Sequence, residues 1–304
     1  MNLQEFEEKF GTQEQCLDYL IRFRWPNGIC CIHPECQKYA KRNNKQYKLS
    51  KQYKFRCRNC LTIYSAIKGT SFQGTQYKLI PLWFRAIWYI TSQNCGTSAL
   101  GLQRFLGLGS YRTAWTWLQK LRQAMISECD KLRGTVIVDN FFIKVKTQEN
   151  SDGYINSDYR EDKFSVLIAL EFNDEKIGRI RMQNIECDET YDVANFIKNS
   201  VEPSNNTILS NKNIDFSKLP LNQYPLKLVK KEPDKNYPPV YKIILSLEKE
   251  KLLDSLACKL SDINLDNYLN ECCFKFNRRK NKDRCFDDLL QNAINTDPNQ
   301  IVKN

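Results

Sequence analysis

Four cysteines stand in two close pairs, Cys31-x4-Cys36 and Cys57-x2-Cys60, roughly 20 residues apart. Zinc takes four tetrahedral ligands at about 2.3 Å from sulfur, and two knuckles joined by a hairpin supply them with little strain. That arrangement is a zinc ribbon. Four protein ligands leave no open position, so the Zn2+ expected on Cys31, Cys36, Cys57 and Cys60 is structural. Cys30 and His33 crowd the first knuckle, and either could take the place of Cys31. His33 is the sole histidine, which leaves His-dependent acid–base and nucleophilic schemes almost without a base. No glycine-rich motif that would cradle phosphates is present, so nucleotide hydrolysis is unsupported.

The second chemistry is electrostatic. The formal net charge is +11, and the whole positive excess lies in residues 1–133, the remainder being near neutral. A one-sided basic segment on a near-neutral body is the footprint of a polyanion binder. Lys41, Arg42, Lys45, Lys48, Lys51, Lys54, Arg56 and Arg58 crowd the cysteine region, with Tyr47, Tyr53 and Phe55 interleaved, and Arg112 stands further along. These are the candidate nucleic-acid contacts. DNA is the expected partner, although the same basic face would hold RNA phosphates.

The opening residues are acidic and amphipathic, unlike a signal peptide, and no apolar run approaches the length of a membrane span. No membrane partner is expected. The 13 cysteines are odd in number and irregular in spacing, which favours reduced thiols in an intracellular, reducing compartment. That compartment would be the nucleus or nucleoid if DNA is bound.

The elements that must position these groups follow from hydrophobic spacing. Residues 1–24 read as one or two short helices, ended by Trp25-Pro26-Asn27-Gly28. From Leu79 to Arg133 the pattern is helical. Ser98 to Leu106, a glycine turn, and a helix after Ser110 have the layout of a helix-turn-helix, with Tyr111, Arg112 and Gln119 as candidate groove contacts and Trp115 and Trp117 as core. At Gly134 the pattern turns to strands. Val136–Val138 and Phe141–Ile143 read as one strand interrupted at Asp139-Asn140, followed by strands at 164–172 and 177–185, a helix at 191–200 and a short strand at 207–209. Residues 211–239 read as loop, with helices at about 240–257, 263–275 and 284–295. The expected fold class is α+β. Its domains are 1–74, a helix and zinc ribbon; 75–133, a helical DNA-binding region; 134–295, a mixed sheet flanked by helices; and a tail, 296–304.

Taken in order, several motifs resemble one family. They are Trp25-Pro26-x-Gly28, the cysteine pairs, Gly69-Thr70-x-Phe72, Trp83-Phe84-x-Ala86-Ile87-Trp88 and Thr113-Ala114-Trp115-x-x-Leu118. Leu121-Arg122-x-Ala124-Met125, Gly134-Thr135-Val136-Ile137-Val138-Asp139 and Tyr268-Leu269-x-Glu271-x-x-Phe274-x-Phe276-Asn277-Arg278-Arg279 complete the series. The set resembles bacterial insertion-sequence transposases with an N-terminal zinc ribbon and an ISXO2-like transposase domain, relatives of the Merlin superfamily.

The resemblance implies a ribonuclease-H-like domain whose three metal ligands hold two divalent cations for strand cleavage and joining. It places the first ligand at Asp139, retained here, the second at Asn211 and the third at Ser246. Neutral Asn and Ser give Mg2+ far less charge than carboxylates do. Asp215, Glu248 or Glu250 would have to take over for Mg2+ to bind. The expected function is therefore a domesticated, catalytically inactive transposase descendant, binding DNA through its basic half and offering its ribonuclease-H-like domain to protein partners. The alternatives are an active metal-dependent transposase and a structural RNA-binding subunit of a ribonucleoprotein.

Overall fold

The computed structural model describes residues 2–29, 31, 33, 36, 46–49, 53–57, 59–94, 96–126, 131–148, 159–173, 176–185, 190–203, 207–210, 226–228 and 265–296. Contacts divide the chain into two units, Met1–Ser92 with Leu102–Ala124 and Phe286–Asn304, and Gln93–Gly101 with Met125–Cys285. The architecture is mixed α+β.

The first unit opens on α1 (Leu3–Phe10) and α2 (Gln13–Arg24), each started by a capping box. Asn2 accepts the Glu5 N–H at 2.9 Å and Glu5 returns to the Asn2 N–H; Thr12 and Gln15 do the same for α2. These reciprocal bonds satisfy backbone donors that a helix start leaves without partners. Strands β1 (Gln46–Leu49), β2 (Lys54–Cys57) and β3 (Ile63–Ser65) form an antiparallel sheet in that order. Phe55 and Tyr64 turn inward against Trp25, and Arg24 lies over the Trp25 ring while donating to the carbonyls of Ser65 and Ala66. The end of α2 is thereby fastened to the ribbon.

Helices α3 (Ile80–Ser92), α4 (Ala99–Leu106) and α5 (Tyr111–Ala124) follow. Aromatic stacking organises them: Trp83 on Trp117 at 4.2 Å and Tyr89 on Phe105 at 4.3 Å between ring centroids. The last helix of the chain, α8 (Cys285–Asn295), sends Phe286 into the cluster of Phe6, Phe10 and Phe84. Residues 1–133 by themselves would lack that ring.

The second unit is a five-stranded sheet of β4 (Thr135–Gln148), β5 (Tyr159–Asn173), β6 (Lys176–Ile185), β7 (Thr207–Ser210) and β8 (Leu226–Leu228), ordered β6-β5-β4-β7-β8. β4, β5 and β6 are antiparallel neighbours; β4–β7 and β7–β8 are parallel. Contrary to the sequence expectation, β4 is continuous through Asp139 and Asn140, which pair with Ile168 and Leu167. β8 lies in the stretch expected to be loop. The expected helix at 240–257 lies outside the described residues.

Alternation sorts the strands onto two covered faces. Val136, Val138 and Ile208 pack with Val193, Phe196 and Ile197 of α6 (Thr190–Ser200). Ile137, Ile168, Ile180 and Leu209 pack with Leu269, Cys272, Cys273 and Phe276 of α7 (Leu265–Asn277).

β6 is an edge strand, and α7 closes it. The Asn277 amide accepts the Ile180 N–H at 2.7 Å and donates to the Ile180 carbonyl at 3.0 Å. The Met182 N–H faces the Cys273 thiol, and Asp266 accepts the Asn184 N–H at 2.7 Å. Arg279 donates to the carbonyls of Ile177 and Gly178. Backbone groups open to another strand are thus occupied, which blocks edge-to-edge pairing. Nearby, an irregularity in β5 carries Glu171 into the interior. Its carboxylate accepts the backbone N–H of Arg133 and of Arg179 and the Arg179 guanidinium. A side chain at Gly178 would place its Cβ 2.8 Å from that of Glu171.

Burial alone would raise the Glu171 carboxyl, but its bonds from Arg179 and from two N–H groups hold it below the ordinary range. A depressed folded-state pKa stabilises above the unfolded value of about 4.3, and that stability is lost as pH falls through the folded value. Glu171→Gln should lower unfolding stability at pH 7 by about 1–3 kcal/mol, since the half-buried Arg179 guanidinium loses its carboxylate and keeps the Lys131 carbonyl. Its acid melting curve should also flatten relative to wild type. Asn277→Leu should cost about 2–4 kcal/mol, because two Ile180 backbone groups lose their partners. Denaturant titration of the full chain checks both.

Candidate metal centre and nucleic-acid interface

β2 alternates outward and inward, so that Lys54 and Arg56 are exposed while Phe55 and Cys57 turn in. Cys57 thereby enters the interior at the start of a tight turn. The Cys57 N–H donates to the Thr62 carbonyl and the Leu61 N–H to the Cys57 carbonyl, with Leu61 in the left-handed region at φ 57°. The turn brings Cys60 back beside Cys57.

All four expected ligands meet here. Cys31 Sγ lies 3.5 Å from Cys60 Sγ, Cys36 Sγ lies 3.6 Å from Cys57 Sγ, and the four sulfurs all fall within 4.8 Å of one another. Tetrahedral zinc at about 2.3 Å from sulfur requires sulfurs about 3.8 Å apart, so the donor set fits the ion. His33 is exposed and contributes only its backbone N–H, 3.5 Å from Cys31 Sγ. The position left open between Cys31 and His33 falls to Cys31; Cys30 lies outside the described residues.

Two of the four thiols, Cys57 and Cys60, are held toward the thiolate, while Cys36, like Cys31, is pushed up by burial. Cys57 is buried, which would raise its thiol, but the N–H groups of Cys60 and Asn59 and the Cys36 side chain hold it below the usual range. The Thr62 hydroxyl, 3.3 Å from Cys60 Sγ, and the Thr62 N–H bring Cys60 down to about 6. Burial pushes Cys31 up to about 12, so an arriving metal must displace its proton.

The expected basic contacts divide three ways. Lys54 and Arg56 lie on the outward ribbon face and Arg112 is exposed on α5. Lys48 sits on β1 opposite Phe55, its backbone alone described. Lys41, Arg42, Lys45, Lys51 and Arg58 lie outside the described residues. Gln119, expected to face a groove, is buried; it falls on the same side of α5 as Leu118 and Arg122. Trp117 is core as expected, but Trp115 is 37% exposed.

A stronger electrostatic signal than the net charge was legible in the chain: from Cys36 to Ser127 there is no Asp or Glu. The exposed cations of this stretch have no acid of their own segment to pair with.

Asp139 is half-buried on β4 and accepts the Asn140 N–H at 2.8 Å. Asn211 and Ser246, like Asp215, Glu248 and Glu250, lie outside the described residues. No helix among the described residues is long and apolar enough to cross a membrane.

Comparison with known families agrees with the metal geometry. Residues 11–62 match the family model of the transposase zinc-ribbon domain of the IS1595 group. The match begins before α2, which is the helix that Arg24 and Trp25 fasten to the ribbon. No curated protein matches the chain.

Gently purified protein should carry one zinc per chain by elemental analysis. Cys57→Ser should lose the metal and melt the ribbon, since such a site contributes on the order of 10 kcal/mol to folding. His33→Ala should keep full zinc occupancy. Loss of zinc in that variant would return His33 to the ligand set.

Proposed function

We propose that the chain is a transposase-derived DNA-binding protein, domesticated and catalytically inactive, which grips duplex DNA through its zinc ribbon and the helices beside it. One observation carries this. The four-cysteine ribbon, similar to a transposase zinc-ribbon domain, presents Lys54 and Arg56 outward in a stretch without carboxylates. Cations held out to solvent with no acid in their own segment are suited to release counter-ions from a nucleic-acid backbone.

A ribonuclease-H-like identity for the sheet is supported by its strand order and sense, with helices on both faces. Asp139 stands on the central strand β4. Val138 pairs with Ser210, and Ile137 with Leu209 on the face beneath α7. The family resemblance assigns the second ligand position to Asn211, outside the described residues. An amide there and a hydroxyl at Ser246 leave one formal negative charge where two adjacent divalent cations need two or three. On that assignment the donor set carries too little charge for a pair of Mg2+ ions, which supports a chain that binds DNA without cutting it. The retained Asp139 is what favours the rival, an active transposase using Asp215, Glu248 or Glu250.

The full chain should bind duplex DNA with log affinity falling against log salt at a slope of about −4.5, for about five phosphates. Lys54→Ala with Arg56→Ala should make that slope shallower by about 2. With Mg2+ or Mn2+, candidate transposon-end DNA should stay intact, and Asp139→Ala should leave binding unchanged. Metal-dependent cleavage abolished by Asp139→Ala establishes the active enzyme instead. Tighter binding to structured RNA than to duplex DNA establishes the ribonucleoprotein subunit.

A further inference from the structure

We infer that α5 reads base sequence in the major groove of duplex DNA, through Tyr111, Arg112, Trp115 and Thr116. The inference rests on the DNA-binding function above and names the side chains that carry sequence information, which phosphate contacts do not.

The first support is the geometry of α4 and α5. α4 closes with the Leu108 N–H on the Gln103 carbonyl at 3.1 Å and the Gly107 N–H on the Arg104 carbonyl at 3.3 Å. Gly107 takes φ 64°, and this pair of bonds with a left-handed glycine is a Schellman stop. Residues 107–110 then turn the chain into α5. A helix of two turns, a short glycine turn and a longer second helix is the helix-turn-helix layout, in which the second helix enters the groove by its N-terminal residues. Both helices are set against α3, Phe105 stacked on Tyr89 and Trp117 stacked on Trp83. Leu102, Leu106, Ala114, Trp117 and Leu118 are buried, which fixes the roll of α5 about its axis.

The second support is what that roll leaves outside. Tyr111, Arg112, Trp115 and Thr116 are all exposed, at i, i+1, i+4 and i+5, and so form one stripe over the first two turns. The stripe stops at Gln119, which is buried. An aromatic pair and an arginine on one stripe are costly to leave in water without a purpose, and exposed large apolar groups that cluster mark a contact surface.

Charge selects the partner. Neither α4 nor α5 contains an acidic residue, and none occurs between Cys36 and Ser127. Arg112 makes no ion pair among the described residues, and Arg104 is exposed nearby on α4. A guanidinium held out on a helix N-terminal turn matches the O6 and N7 acceptors of guanine, and ring edges and the Thr methyl match the thymine methyl. Duplex RNA does not fit, since its deep, narrow major groove excludes side chains.

The test selects preferred duplexes from a random pool with the zinc-loaded full chain. Affinity is then compared for the selected and a scrambled duplex at one salt concentration. Arg112→Ala should weaken the selected duplex between about 5-fold and 100-fold, and the scrambled one by no more than about threefold. Arg112→Lys keeps the charge but not the bidentate fork; it should hold the scrambled affinity and lose the preference. Lys54→Ala with Arg56→Ala should weaken both duplexes alike. Thermal melts confirm that each variant is folded.

Wild-type binding with no sequence preference overturns the inference. So does an equal effect, or none, of the Arg112 variants on the two duplexes. A dimer that Trp115→Ala dissociates, with DNA preference intact, assigns the stripe to a second copy of the chain and also overturns it. Failure of the DNA-binding function itself is distinct, because wild type would then show no salt-dependent duplex binding at all.

Discussion

Between Cys36 and Ser127 the chain carries cations and no carboxylates, and this absence of internal counter-ions governs how the first unit is built. Salt bridges within the segment are unavailable, so cohesion comes from uncharged sources. Four thiols gather at one point and aromatic rings stack. Where a cation of the segment is paired, the acid is borrowed from outside it. Arg85 meets Glu7 of α1 at 2.7 Å. α8, also from outside, brings Phe286 to the aromatic cluster and Asp287 to the Tyr19 hydroxyl. Arg122 is buried, while Lys54, Arg56, Arg104 and Arg112 are exposed, where each is worth little to folding and is open to a polyanion.

The sheet unit solves the opposite problem, that of polar groups which must be buried. Glu171 is kept ionised in the interior because four donors converge on it. Glu271, equally buried, accepts the Thr97 N–H and the Lys275 ammonium. The polar residues of the Tyr268–Arg279 motif thus have structural work. Asn277 and Arg279 close the β6 edge, Glu271 is satisfied internally, and Arg278 covers the Phe274 ring. Sequence similarity in that motif therefore testifies to the fold and says little about catalysis.

Most elements were legible because their signals are local. Apolar spacing over 1–24 closed by Trp25-Pro26-Asn27-Gly28, apolar strand runs at 136–138 and 164–172, and paired cysteines each carry their own chemistry. What was not legible depended on distant partners. Asp139-Asn140 looks like a strand breaker, yet β5 pairs through it and the strand continues. β8 sits in Pro- and Lys-rich sequence with only three paired residues. Two tryptophans two positions apart cannot share a helix face, so Trp115 and Trp117 could not both be core; which one was inside depended on Trp83. The same roll buried Gln119. The partner of α8 was hidden for the same reason, since Phe286 and Phe6 are separated by almost the whole chain.

The two candidate centres differ in what their geometry demands of the residues, and that difference bears on which would survive domestication. At the ribbon, the ligands are part of the core: Cys31, Cys36 and Cys57 are buried beside Trp25, Phe55 and Tyr64, and it is the four thiols that meet where the two knuckles come together. Loss of one thiol should weaken the ribbon's fold along with its hold on the metal. At β4 the sheet is held by Ile137, Val138 and their neighbours on two covered faces, and Asp139 lies half-buried beyond that packing. A carboxylate replaced by an amide at such a site would cost the sheet little, since an amide fills similar space and still hydrogen-bonds. Catalytic charge can therefore drift away while both units keep folding. A chain selected only for holding DNA would be expected to retain its cysteines and lose its acids.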